Sequence, residues 1–143
     1  MAYKKEDWQR AQRRLQSARE SYSEYKNDDA DVRFPDRLDD AIIRAWTFGE
    51  YAINVCLESF GLKVSQNHSQ AREAKSLFEL GKLSQDYSEI LAKLEQYRKK
   101  ASHLGYTKER SVHYSSADVD RCLTKMEELS LEVDAILERP TTK

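Results

Sequence analysis

Ala41-Ile42-Ile43-Arg44-Ala45-Trp46-Thr47-Phe48-Gly49-Glu50-Tyr51-Ala52-Ile53-Asn54-Val55-Cys56-Leu57 is the stretch whose reading decides the fold. Wound as a helix, it is apolar on most sides, and it lacks the period-two alternation of a half-buried strand. A helix of that kind is buried nearly all round and forms the centre of an assembly of helices. Gly49 in its middle costs about 1 kcal/mol relative to alanine, and close approach of a neighbouring helix accounts for it. Phe34-Pro35-Asp36 opens the helix. Proline suits a first turn because its missing N–H would be unpaired there, and Asp36, Asp39 and Asp40 complement the positive end of the helix dipole. Gly61 is a natural stop after Phe60.

Amphipathic segments flank this centre. From Glu6 to Lys26, the residues Trp8, Ala11, Leu15, Ala18, Tyr22 and Tyr25 recur at alternating spacings of three and four, a single helical stripe. Arg10, Arg13, Arg14, Arg19 and Glu20 read as its solvated outer face. A short helix is predicted from Ser69 to Leu80, with Ala71, Ala74, Leu77 and Phe78 inward. A fourth begins near Asp86, where Asp86 and Glu89 have capping-box spacing, and runs through Tyr87, Leu91, Leu94 and Ala101 to Gly105. Tyr106 to Tyr114 has no clear period and reads as a loop. A fifth opens at Ser115 with Asp118 three residues on, carries the stripe Val119, Cys122, Met126, Leu129, Val133 and Ile136, and stops at Arg139-Pro140. Short connections make neighbouring helices antiparallel. The predicted architecture is all-α: an up-down four-helix bundle with one additional short helix, in a single domain covering residues 1–143.

Composition narrows the function. Charged residues make up 34% and apolar residues 39%, which fits a helical protein with salt-laced outer faces and excludes a disordered chain. A net charge of -1 excludes a generally basic nucleic-acid coat, so any nucleic-acid site is a local patch. No apolar run approaches the ~18 residues of a membrane span. The opening residues lead into Lys4-Lys5-Glu6-Asp7, not an apolar signal core. Cys56 and Cys122, isolated among apolar residues, predict buried thiols in a reducing, cytoplasmic setting. His68, His103 and His113 lack the paired spacing of zinc ligands, and the four glycines are scattered, so neither a metal site nor a cofactor is predicted.

One segment carries candidate chemistry: Tyr97-Arg98-Lys99-Lys100-Ala101-Ser102-His103-Leu104-Gly105-Tyr106. From Lys93 to Arg110 there are six Lys/Arg against two Glu, whereas Asp118 to Glu138 has seven acidic residues against two basic, so charge is segregated along the chain. RNA cleavage without a metal requires a group to take the 2′-hydroxyl proton, one to stabilise the charge on phosphorus and one to protonate the leaving oxygen. Histidine shuttles protons near neutral pH, and arginine holds a phosphate with a planar, permanently charged fork. Arg98 and His103 are therefore candidate catalytic residues. Lys99 and Lys100 are candidates for flanking phosphates, and Tyr97 and Tyr106 for stacking bases. A solvated basic helix end carries the same residue types, because cations favour the negative pole of the helix. Five positions place Arg98 and His103 about 140° apart on an ideal helix. They converge only if the helix loosens near Gly105 or if two chains pool their pairs.

Arg98, four residues, then His103, late in an all-α chain with a long apolar second helix, resembles the signature of the HEPN superfamily. Two positions depart from its common pattern: Lys99 stands where many toxin-type members have a polar uncharged residue, and Tyr106 lies three residues after His103 rather than two. The resemblance covers most of the chain. It implies a HEPN-like bundle, a homodimer with facing motifs, and metal-independent endoribonuclease activity on RNA, often in toxin–antitoxin systems or phage defence. It also carries an alternative, a non-catalytic binding module that partners a nucleotidyltransferase, an antitoxin or another protein. The stripes on the first and fifth helices, read as surfaces for a second copy, point to the same homodimer.

Overall fold

Among the described residues, five helices account for the periodic segments: α1 (Lys5–Asn27), α2 (Pro35–Ser59), α3 (Gln70–Glu79), α4 (Ser88–Ser102) and α5 (Ser116–Glu138). The computed structural model describes residues 4–27, 35–64, 70–102 and 114–138, and no strand occurs among them. Helix α2 touches each of the other four. Ala41, Ile42, Ala45, Phe48, Ala52, Ile53 and Cys56 are buried on it, as its nearly all-round apolarity requires. Gly49 lies where α2 meets α4 and α5: a Cβ there would stand 2.7 Å from Leu91 Cδ2 and 3.2 Å from Met126 Sδ. The missing side chain lets the three backbones draw together, which offsets its propensity cost.

Helix direction follows from side-chain pairs. Ser21 donates to Asp40 at 2.8 Å while Trp8 packs on Phe48, so α1 and α2 are antiparallel. Trp8 also donates to Asp134, and Arg19 to Asp120, so α1 and α5 are antiparallel. Arg98 lies over Trp46 while Leu91 meets Gly49, so α2 and α4 are antiparallel. The predicted stripes of α1 and α5 face inward: Trp8, Ala11, Leu15 and Ala18 are buried, as are Val119, Cys122, Met126, Leu129, Val133 and Ile136. Tyr22 and Tyr25, the last two positions of the α1 stripe, are half-buried against the same core.

The ends are set by local chemistry. At Gly61, with φ of 69°, the Leu62 N–H reaches the Leu57 carbonyl at 2.8 Å and the Gly61 N–H reaches that of Glu58 at 3.0 Å, a Schellman stop. Gly81 repeats the arrangement after α3. Phe78 is 40% exposed, against the inward position predicted for it. Ala74 and Leu77, three apart, define the buried side of α3, and Phe78 is a further 100° round. At the start of α4 the Asp86 carboxylate accepts the Ser88 N–H at 2.9 Å, two residues on, rather than pairing with Glu89.

The α5 capping box forms in both directions: Ser115 N–H donates to Asp118 at 2.9 Å, and Asp118 N–H donates to the Ser115 hydroxyl at 3.2 Å. The Ser115 backbone bond is the main cause holding the Asp118 carboxyl below its ordinary range. A depressed carboxylate contributes stability above its unfolded pKa and loses it as pH falls through the folded one. Ser115→Ala is therefore expected to cost about 1 kcal/mol at neutral pH. The urea midpoints of wild type and Asp118→Asn should converge on acidification, and a gap that stayed constant from pH 7 to pH 3 would show the carboxylate charge to be irrelevant.

Candidate functional site

Helix α4 presents two sides near its C-terminal end. Tyr97 turns toward α5 and packs its ring on Tyr114, centroids 5.1 Å apart. The Tyr114 hydroxyl donates to Asp39 of α2, so the two rings tie α4 to both neighbours. Burial, then the charge of Asp118, raises the Tyr97 hydroxyl pKa. Arg98 and Lys99, one and two positions on, face α2 and α3.

The Arg98 guanidinium lies over the Trp46 ring at 4.3 Å from its centroid. Its Nη2 donates to Glu95 Oε1 at 3.0 Å, one helical turn back. Both members of this ion pair keep about a third of their side-chain surface or less, at 27% and 30%. A pair of that kind within one helix contributes a few tenths of a kcal/mol. A cation–π contact contributes about 0.5–1 kcal/mol when exposed and about 2 when desolvated. Trp46 therefore fixes the guanidinium more firmly than Glu95 does. Arg98 Nε and Glu95 Oε2 are both buried without a hydrogen-bond partner. Each such atom costs about 1–3 kcal/mol of desolvation, so the site holds unused polar capacity beside a fixed cation.

The adjoining groove, about 310 Å³, runs between α2, α3 and α4 and is lined by Trp46, Glu50, Gln70, Glu95, Gln96 and Lys99. Lys99 is exposed at its edge. The structure thus places Lys99 in the groove together with Trp46 and Glu95, the two residues that hold Arg98, and sends Tyr97 to the other side of the helix. His103 and Tyr106 lie outside the described residues, and so does the side chain of Lys100. Trp46 and Glu95 are the site residues that sequence reasoning missed. The Glu95-to-Arg98 spacing of three was a legible signal. Trp46 carried none beyond its place on an apolar helix.

The two thiols offer no nucleophile. Burial is the main cause pushing Cys56 and Cys122 up to about 12, where almost no thiolate exists at neutral pH. No helix among the described residues is long and apolar enough to cross a membrane. No known family model, curated protein or solved structure matches this chain.

Proposed function

We propose that this protein is a metal-independent endoribonuclease of HEPN type, acting as a homodimer on RNA in the cytoplasm. The observation that carries the reading is Arg98: a guanidinium fixed on Trp46 at the end of α4, five residues before His103, beside a groove edged by Lys99. Support for the fold assignment comes from α1, α2, α4 and α5 running alternately up and down, with α3 as an additional short helix. In the proposed reaction His103 removes the 2′-hydroxyl proton, the 2′-oxygen attacks the adjacent phosphorus, and the 5′-oxygen leaves with a proton returned to it. Arg98 spends one N–H on Glu95, and its other donors hold the non-bridging oxygens as charge builds on them. Two chains pooling their pairs overcome the separation of Arg98 and His103 around one helix.

The Glu95 contact also favours a second reading. An arginine already paired with a carboxylate suits a docking surface, here for a nucleotidyltransferase or an antitoxin.

One assay separates the two. Mixed RNAs incubated with the protein in excess EDTA should be cut, leaving 2′,3′-cyclic phosphate or 3′-phosphate ends, while DNA, which lacks the attacking hydroxyl, stays whole. The same preparation should scatter light as a dimer at micromolar concentration. Uncut RNA from a dimeric sample would transfer the assignment to the docking module, and a monomer would remove the pooled site.

A further inference from the structure

The groove between α1 and α2 lies apart from the Arg98 site and has its own chemistry. It measures about 220 Å³, and its lining includes Asp7, Arg10, Arg14, Thr47, Phe48 and Tyr51. Arg10 and Arg14 are four residues apart, so both guanidinium groups rise from one face of α1. Like charges at that spacing repel by a few tenths of a kcal/mol. Several other arginines are answered: Arg19 binds Asp120 and Glu127, Arg44 binds Asp40, Arg98 binds Glu95 and Arg121 binds Asp118, while Arg13 and Arg72 are not paired among the described residues. Arg10 and Arg14 have no ion pair or hydrogen bond among the described residues. Among the described residues Asp7 is the one carboxylate in the lining, one turn before Arg10, which leaves their formal charge at a net +1. Beside the two arginines lies Tyr51, only half buried and backed by Trp8 at 6.3 Å and 18° between ring planes. A fixed aromatic surface next to two unanswered forks suits a ligand that is flat at one end and doubly charged at the other.

We infer that this groove binds a nucleotide unit, its phosphate held between Arg10 and Arg14 and its base against Tyr51. Arginine forks match phosphate oxygens in pairs, and an aromatic face accepts any base without hydrogen-bond readout. The nucleotide comes either free or as part of an RNA strand. Cleavage at Arg98 and His103 is not required for this binding, and its readout is independent of catalysis.

The test is fluorescence anisotropy with a labelled 2′-O-methyl RNA decamer, which cannot be cut through its blocked 2′-oxygen, alongside calorimetry with AMP. Arg10→Gln/Arg14→Gln should weaken decamer binding at least about tenfold and reduce the slope of log K against log salt by about 0.7, the share of the one phosphate held between them. Arg13→Gln removes a charge from the same helix outside the groove lining and should change affinity little. Tyr51→Leu should cost about tenfold, the share of one stacked base. Loss of AMP binding in the double variant, with the decamer never bound, would assign the groove to free nucleotides; loss of decamer binding assigns it to a strand. Unchanged binding of both ligands in the double variant would overturn the site. An equal loss in Arg13→Gln would reduce it to general attraction by a basic helix.

Discussion

Replacing His103 with alanine is expected to lower RNA cleavage by about 10²–10⁴-fold, the usual share of a positioned general acid–base, while the helical circular dichroism signal and the dimer persist. A 2′-hydroxyl is a poor nucleophile near neutral pH, and imidazole titrates where both proton removal and proton return proceed. Arg98→Lys should also be damaging although it keeps the charge. Lysine presents a point charge on a flexible stem, so it loses the planar fork and the flat stack on Trp46 at 4.3 Å. Lys99→Ala should act differently, weakening binding and flattening its salt dependence without abolishing turnover. The measurement is single-turnover cleavage of one end-labelled RNA by the variants, purified side by side. Equal rates for wild type and His103→Ala, or activity abolished by EDTA, would identify a contaminating nuclease or a different chemistry.

The central helix was legible because an apolar segment longer than three turns has one stable destination, the middle of other helices. Its neighbours were legible as stripes, and the Ser115–Asp118 box as a local rule complete within four residues. What the pattern does not carry is the identity of the surface that covers a stripe. The stripes of α1 and α5 suggested a second copy, yet the same alternation of threes and fours serves burial within one chain. Long-range polar clamps have no sequence period at all. Arg19 joins Asp120 and Glu127, and Tyr87 donates to Glu132, only because antiparallel packing brings those turns level. The candidate site divides in the same way. Arg98 and Lys99 were recognisable from residue type and position, whereas Trp46 was read as packing because a half-buried tryptophan on an apolar helix looks like core until its partner across the groove is known. Arg10 and Arg14 read as solvated, and only the groove they share with Tyr51 distinguishes them from Arg13.

Trp8→Ala is expected to destabilise the fold by about 3–5 kcal/mol, the range for removing a buried large aromatic. Against a typical total of about 5–15 kcal/mol, that is enough to leave a marginal domain partly unfolded. Trp8 is 3% exposed and is the aromatic link between three helices. Its ring packs on Phe48 at 5.6 Å and on Tyr51 at 6.3 Å, both from α2. Its indole N–H donates to Asp134 of α5 at 2.7 Å. Alanine removes both parts. Trp8→Phe removes mainly the second, since phenylalanine retains much of the apolar ring, and Asp134 still accepts from Gln12 at 2.9 Å. The phenylalanine variant should therefore lose about 1.5–3 kcal/mol or less, the range for a hydrogen bond to a charged group. Urea unfolding with unchanged m-values, followed by far-ultraviolet circular dichroism, gives both numbers. A loss below about 1 kcal/mol for Trp8→Ala would mean that α1 frays away from the cooperative core. The buried stripe of Ala11, Leu15 and Ala18 behind Trp8 argues for the opposite result: α1 unfolds with α2 and α5 as one unit.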